Sequence, residues 1–221
     1  MSVLVKICGL SAPDAVDVAL DAGADMVGFV FFAPSPRNVS FQAARELGAR
    51  AKGRAGKVAL TVDADDTTLT GIVDALQPDL LQLHGKETPA RVSAIKQRFG
   101  VPVMKALAIE TRSDLGAIPL YAKIADRLLF DARAPREATR PGGLGQPFDW
   151  HLLEGVDLSI SFMLSGGLDA ANVGQALRIT RAGGVDVSSG VESAPGVKDL
   201  DKIRAFIRAA RASLGAGMPV E

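Results

Sequence analysis

Val3-Leu4-Val5-Lys6-Ile7-Cys8-Gly9 opens the chain with an apolar, β-branched run that breaks at a reactive side chain followed by glycine. Such a run reads as a buried strand that delivers its last side chain to a carboxyl-terminal rim. The pattern returns seven times. Asp25-Met26-Val27-Gly28-Phe29-Val30-Phe31 enters a loop stiffened by Pro34 and Pro36, Lys57 to Val62 runs into Asp63, and Leu80-Leu81-Gln82-Leu83 ends at His84-Gly85. Val101 to Ala106 follows, then Arg127-Leu128-Leu129-Phe130 stopping at Asp131, Ile160 to Leu164 before Ser165-Gly166-Gly167, and Gly184 to Val187 before Ser188-Ser189-Gly190. Helical patterns are expected from about Ala12 to Ala22, Ser40 to Ala51, Thr67 to Leu76, Thr88 to Phe99, and Val197 to Ala212. A weaker stretch reaches about Ile124, interrupted by Gly116 and Pro119, and a short helix is expected near Trp150.

Repeated strand–helix alternation implies a parallel sheet, and eight units imply closure into a single (β/α)8 TIM barrel. An open doubly wound sheet is the runner-up, but no Gly-x-Gly-x-x-Gly follows the first strand. No change of composition marks a second domain, so residues 1–221 are expected to form one, with about 213–221 as a frayed tail.

Composition narrows the partner. With 25 Lys plus Arg against 25 Asp plus Glu, no overall field points to nucleic acid or to an anionic membrane, so any anion must be bound locally. One cysteine excludes an intrachain disulfide and a multi-cysteine metal site, and it suits a reducing compartment. Two distant histidines offer no zinc spacing, and neither a metal nor a cofactor is expected. The start lacks a basic region followed by an apolar segment, and no stretch has the roughly 18 apolar residues of a membrane span. The expectation is a cytoplasmic protein that takes a small molecule.

In a barrel the loops after strands seven and eight commonly form a phosphate cradle of main-chain N–H groups. Gly166 and Gly167 allow close approach to oxygens, while Ser188, Ser189 and Gly190 supply hydroxyls and further donors at a helix start. Asp131 ends an apolar strand, where a carboxyl tends to hold its proton as a general acid requires; its plainer role is a helix cap or salt bridge. Cys8 is either a reactive side chain delivered to the rim or a small core residue. Asp63 is expected to cap the helix at Thr67, and His151 to be structural. His84 either meets substrate or holds a loop, and the two remain open. Arg37, in a loop stiffened by Pro34 and Pro36, is placed to hold a carboxylate bidentately, although most loop arginines are solvated surface.

Lys6-Ile7-Cys8-Gly9, Gly28-Phe29-Val30-Phe31 with Ser35-Pro36-Arg37, Gln82-Leu83-His84-Gly85, Phe130-Asp131, and Gly142-Gly143-x-Gly145 with Phe148-Asp149-Trp150 all carry one further signal. Together with Leu164-Ser165-Gly166-Gly167-Leu168 and Gly184-Val185-Asp186-Val187-Ser188-Ser189-Gly190-Val191-Glu192, the chain resembles phosphoribosylanthranilate isomerase of tryptophan biosynthesis along nearly its whole length. It departs from the family's usual Gly-Gly-Thr-Gly-Lys-Thr-Phe-Asp-Trp at Gly142-Gly143-Leu144-Gly145-Gln146-Pro147-Phe148-Asp149-Trp150.

The resemblance implies an Amadori rearrangement of N-(5-phosphoribosyl)anthranilate to 1-(2-carboxyphenylamino)-1-deoxyribulose 5-phosphate. It casts Asp131 as general acid and Cys8 as general base, Arg37 on the anthranilate carboxylate, and Gly166, Gly167, Ser188, Ser189 and Gly190 on the phosphate. His84 is a further substrate contact, and no cofactor is needed. A free thiol titrates near 8.5, so Cys8 needs modest help from nearby positive charge. Closure of the segment from Pro141 to Gly145 over the site suits such chemistry. Rivals are a histidine-pathway ribosyl-phosphate isomerase, indole glycerol phosphate synthase and a non-catalytic phosphosugar-binding protein. The first two more naturally carry an aspartate or a lysine at the end of strand one. A thiol-redox protein lacks a resolving cysteine.

Overall fold

The structure, a computed structural model, describes residues 3–135, 137–138, 141–143, 147–154, 156 and 160–213. Expectations for the tail beyond residue 213, and for Leu144, Gly145 and Gln146, lie outside the described residues.

Eight parallel strands close on themselves in sequence order: β1 (Leu4–Cys8), β2 (Met26–Phe31), β3 (Gly56–Thr61), β4 (Leu80–Leu83), β5 (Val103–Ile109), β6 (Arg127–Ala132), β7 (Phe162–Leu164) and β8 (Gly184–Val187). The seam is β1 against β8, where Lys6 faces Asp186 and Ile7 faces Val187. Helices α1 (Pro13–Asp21), α2 (Phe41–Ala51), α3 (Asp66–Leu76), α4 (Pro89–Phe99), α5 (Ile118–Ala122), α6 (Val173–Thr180) and α7 (Leu200–Ala212) accompany them.

Local chemistry sets the helix starts. Ser40, Asp65, Thr88 and Asp199 each accept a main-chain N–H of the first turn, and prolines occupy the first turn of α1 and α4, where no N–H is needed. Side chains alternate along each strand. One set, including Ile7, Phe29, Leu81, Leu83, Phe130 and Val185, packs outward into a core with Val16, Leu47, Leu69, Ile72 and Phe206. Each such residue, fully buried, contributes about 1.5–3 kcal/mol. The other set fills the lumen, where Met104, Ala106, Leu129 and Met163 form a separate apolar plug.

Several expectations shift. Asp65, not Asp63, caps α3, which starts at Asp66. The weak stretch before Ile124 is a 3-10 segment, Arg112–Ala117, followed by the short α5 with Pro119 in its first turn. α6 was not anticipated at all. Residues expected to begin the last helix instead form a hairpin, β9 (Glu192–Ala194) with β10 (Val197–Lys198), so α7 starts at Leu200. The short helix near Trp150 is present as Trp150–Leu153. Among the described residues no helix is long and apolar enough to cross a membrane.

Candidate active site

The carboxyl-terminal mouth of the barrel holds a cleft of about 830 Å³ that includes space open to solvent. Cys8, Arg37, His84, Asp131, Gly166, Gly167, Ser188 and Ser189 all line it. The two-residue period of a strand accounts for the convergence, because each strand's last lumen-facing residue stands at this rim. Gly190 does not line the cavity. It lies in the 3-10 turn Ser189–Val191, where any side chain would collide with the Leu168 carbonyl, so its missing Cβ lets the two loops lock together.

Asp131 is 4% exposed. Its Oδ1 accepts the Ala132 N–H at 2.9 Å and its Oδ2 lies 3.1 Å from His84 Nε2. Gln82 Nε2 is 3.0 Å from His84 Nδ1, so glutamine, imidazole and carboxyl form one chain. The loop after β4 is held by other groups: Lys105 Nζ binds the carbonyls of Leu83 and Gly85 and the Glu87 carboxylate, Glu87 accepts the Asp63 and Gly85 N–H groups, and Asp63 accepts the Lys86 N–H. His84 is therefore a cavity residue joined to Asp131, and Asp63 is a loop anchor. His151 sits on the surface beside Glu154.

Arg37 is fixed in place. Its Nε and Nη2 grip both oxygens of Glu192 at 2.6 and 2.8 Å, and Nη2 also donates to the Gly143 carbonyl at 3.2 Å. One edge of the guanidinium is thus committed within the protein, and among the described residues Nη1 has no hydrogen-bond partner. Glu192 also accepts from Lys198, which donates to the Ser188 carbonyl. Burial opposes the Glu192 carboxylate, but the hydrogen bonds and charges of Arg37 and Lys198 hold it below the ordinary range. Lys198 is pulled down by its own burial, against Glu192. Burial likewise pushes the Cys8 thiol up; Lys6 and Lys198 pull it down and Asp186 pushes it further up.

The loops after β7 and β8 meet beside these groups. Gly166 and Gly167 have φ of +87° and +61°, the left-handed region open to glycine, and this turns the chain at the rim. Among the described residues neither their N–H groups nor the Ser189 hydroxyl finds a partner.

The family model for N-(5'-phosphoribosyl)anthranilate isomerase matches residues 5–209. The chain belongs to that family. It is 68% identical over 216 residues to the N-(5'-phosphoribosyl)anthranilate isomerase of Bradyrhizobium diazoefficiens, covering 98% of this chain and 97% of the relative. It is 69% identical over 213 residues to that of Nitrobacter hamburgensis, covering 96% and 95%. Among solved structures, phosphoribosyl anthranilate isomerase from Thermotoga maritima aligns with a TM-score of 0.86 at 34% identity over 95% of this chain and 99% of that one. A phosphoribosyl anthranilate isomerase crystallised with reduced 1-(o-carboxyphenylamino)-1-deoxyribulose 5-phosphate aligns with a TM-score of 0.83 at 32% identity, again over 95% and 99%. The chain is accordingly an isomerase of tryptophan biosynthesis with a TIM-barrel fold.

Five residues that sequence reasoning gave no role complete this isomerase mouth: Lys6, Asp186, Gln82, Lys198 and Glu192. The first three stand one lumen layer below Cys8, Ser188 and His84. A lysine inside a β-branched run, or an aspartate inside Gly184-Val185-Asp186-Val187, is a charge facing a barrel interior, and that was the available signal.

Proposed function

We propose that this cavity carries out the Amadori rearrangement of N-(5'-phosphoribosyl)anthranilate by one acid and one base, Asp131 and Cys8. The observation that carries the assignment is that the only cysteine and a buried carboxyl from β6 line one cavity together with the loops after β7 and β8. Those loops, through Gly166, Gly167, Ser188 and Ser189, receive the phosphate, with Gly190 shaping the cradle by its packing on Leu168. The free end of Arg37 takes the anthranilate carboxylate, which displaces the Gly143 carbonyl from Nη2. Both substrate ends are then tethered, which places the sugar's C1 and C2 between the two reactive groups.

The proton sequence is short. Asp131 protonates the furanose ring oxygen as the anilino nitrogen lone pair forms the C1=N bond and the C1–O bond breaks. The Cys8 sulfur, as thiolate, removes the proton from C2 of the iminium to give the enolamine. Loss of the enol O–H proton and gain of one at C1 yield the ketone. His84 keeps the Asp131 carboxyl in one orientation at Oδ2, and the cationic iminium favours the thiolate at the moment it is needed.

The test follows anthranilate fluorescence as freshly generated substrate meets wild type, Cys8→Ser and Asp131→Asn. Each variant is expected to lose about 10²- to 10⁴-fold in kcat while still binding a product analogue. Near-normal turnover by Cys8→Ser removes the base, and near-normal turnover by Asp131→Asn removes the acid.

A further inference from the structure

The lumen layer beneath the rim is apolar on β5, β6 and β7, through Met104, Leu129 and Met163, but not at the seam. There Lys6 is 0% exposed and its Nζ lies 2.9 Å from Oδ1 of Asp186, its direct partner across the β1–β8 closure. Burying both charges gives little net stability over an apolar pair of similar size, so stability alone does not explain the choice. What stands above the pair does. Gly28 is the register partner of Cys8 on β2, and a methyl group built on it would sit 3.0 Å from Cys8 Sγ and 3.0 Å from Lys6 Nζ. Glycine leaves a gap into which the ammonium and the sulfur both reach, and they are no further apart than those two approaches together.

Resting on the assignment of Cys8 as base, we infer that Lys6 is a positioning residue that draws the Cys8 thiol toward the thiolate, while Asp186 holds Lys6 in place and sets how much of its charge the sulfur feels. The charged groups around the sulfur are Lys6 from its own strand, Asp186 from β8 and Lys198 from β10. The Arg37–Glu192 pair stands behind Lys198, and His84 and Asp131 face across the cavity. Burial works against the Lys6 ammonium, but Asp186 and Cys8 outweigh it and hold it above the ordinary lysine range, so it is a fixed positive charge wherever the enzyme works. It opposes the burial that raises the thiol.

Because Cys8 is the only cysteine, the ultraviolet absorbance of the thiolate, taken as the difference from the matching protein that also carries Cys8→Ser so that ionisation of Tyr121 cancels, titrates this one group, and it does so without turnover. Wild type, Lys6→Met and Asp186→Asn are compared, with folding checked by circular dichroism. Lys6→Met is expected to raise the titration midpoint, leaving about one-tenth or less of the thiolate at a given pH below it, and Asp186→Asn to lower it. A merely structural role would not displace the two in opposite directions. A midpoint that stays put in either folded variant, or moves the same way in both, overturns the inference. If Lys6→Met does not fold, Asp186→Asn decides alone: a lowered midpoint supports the inference, and an unmoved or raised one overturns it. Failure of the base assignment looks different, since Cys8→Ser would then turn over substrate while the titration shifts stand.

Discussion

Glu192 determines how Arg37 is used. A lone loop arginine is a flexible cation, but here one face of the guanidinium is locked by two short bonds to a carboxylate that Lys198 also holds. What faces the cavity is therefore a fixed end rather than a swinging side chain, and little ordering is left for substrate to impose. Arg37→Ala is expected to raise KM more than it lowers kcat, and an unchanged KM would count against the carboxylate clamp. The same variant leaves Glu192 buried with a single cationic partner. Side chains of this pair are 4% and 5% exposed, so the loss is not screened by water and stability should fall by about 3–5 kcal/mol. Thermal melts recorded beside the kinetics separate the two effects.

The cradle depends on two short elements being locked together. The Ser189–Val191 turn meets the loop after β7 through Gly190 and the Leu168 carbonyl, with no room for a Cβ. Gly190→Ala is expected to push the loops apart, costing about 1–3 kcal/mol by overpacking and weakening a phosphate-bearing product analogue, while Cys8 and Asp131 stay where they are. Calorimetric titration of the analogue checks this; unaltered affinity would mean that the lock does not shape the site. The strand ends here were legible in the sequence because glycine and serine punctuate them, and Cys8, Asp131 and the two loops converge as their positions implied. α6 was not, since Val173-Gly174-Gln175-Ala176-Leu177-Arg178-Ile179-Thr180 carries a glycine and three β-branched residues and gains its helix from packing. Nor was the β9–β10 hairpin, because Val197 and Lys198 continue the period of α7 although Asp199 caps it. Asp63 and Asp65 are equally good cap residues on paper, and what separates them is the left-handed φ of +49° at Asp63 and the commitment of its carboxylate to the Lys86 N–H.

At the scale of the whole molecule, several carboxylates do structural work only while ionised, and this gives the fold an acid limit. Burial opposes each of Glu192, Asp114 and Asp126, yet their cationic and N–H partners outweigh it and lower the affinity for protons. The unfolded chain takes up protons at the ordinary values of 4.5 for Glu192 and 3.8 for the aspartates, whereas the folded chain resists until lower pH. Stability from these groups is thus fully present above the unfolded values and is lost as pH falls through the folded ones. Cys8 acts in the opposite sense: its raised thiol adds stability up to the ordinary 9.0 and loses it above. Melting temperature should therefore fall steeply between about pH 5 and pH 3. Of the three carboxylates, Glu192 has the least exposed side chain and two cationic partners, so it should carry the largest share. Glu192→Gln is expected to be less stable than wild type at neutral pH, since Arg37 and Lys198 lose their counter-charge, yet to show a shallower acid decline, so that the two melting curves converge near pH 3 within about 1 kcal/mol. Parallel declines would assign the acid limit to Asp114 and Asp126, on the far side of the barrel from the β1–β8 seam.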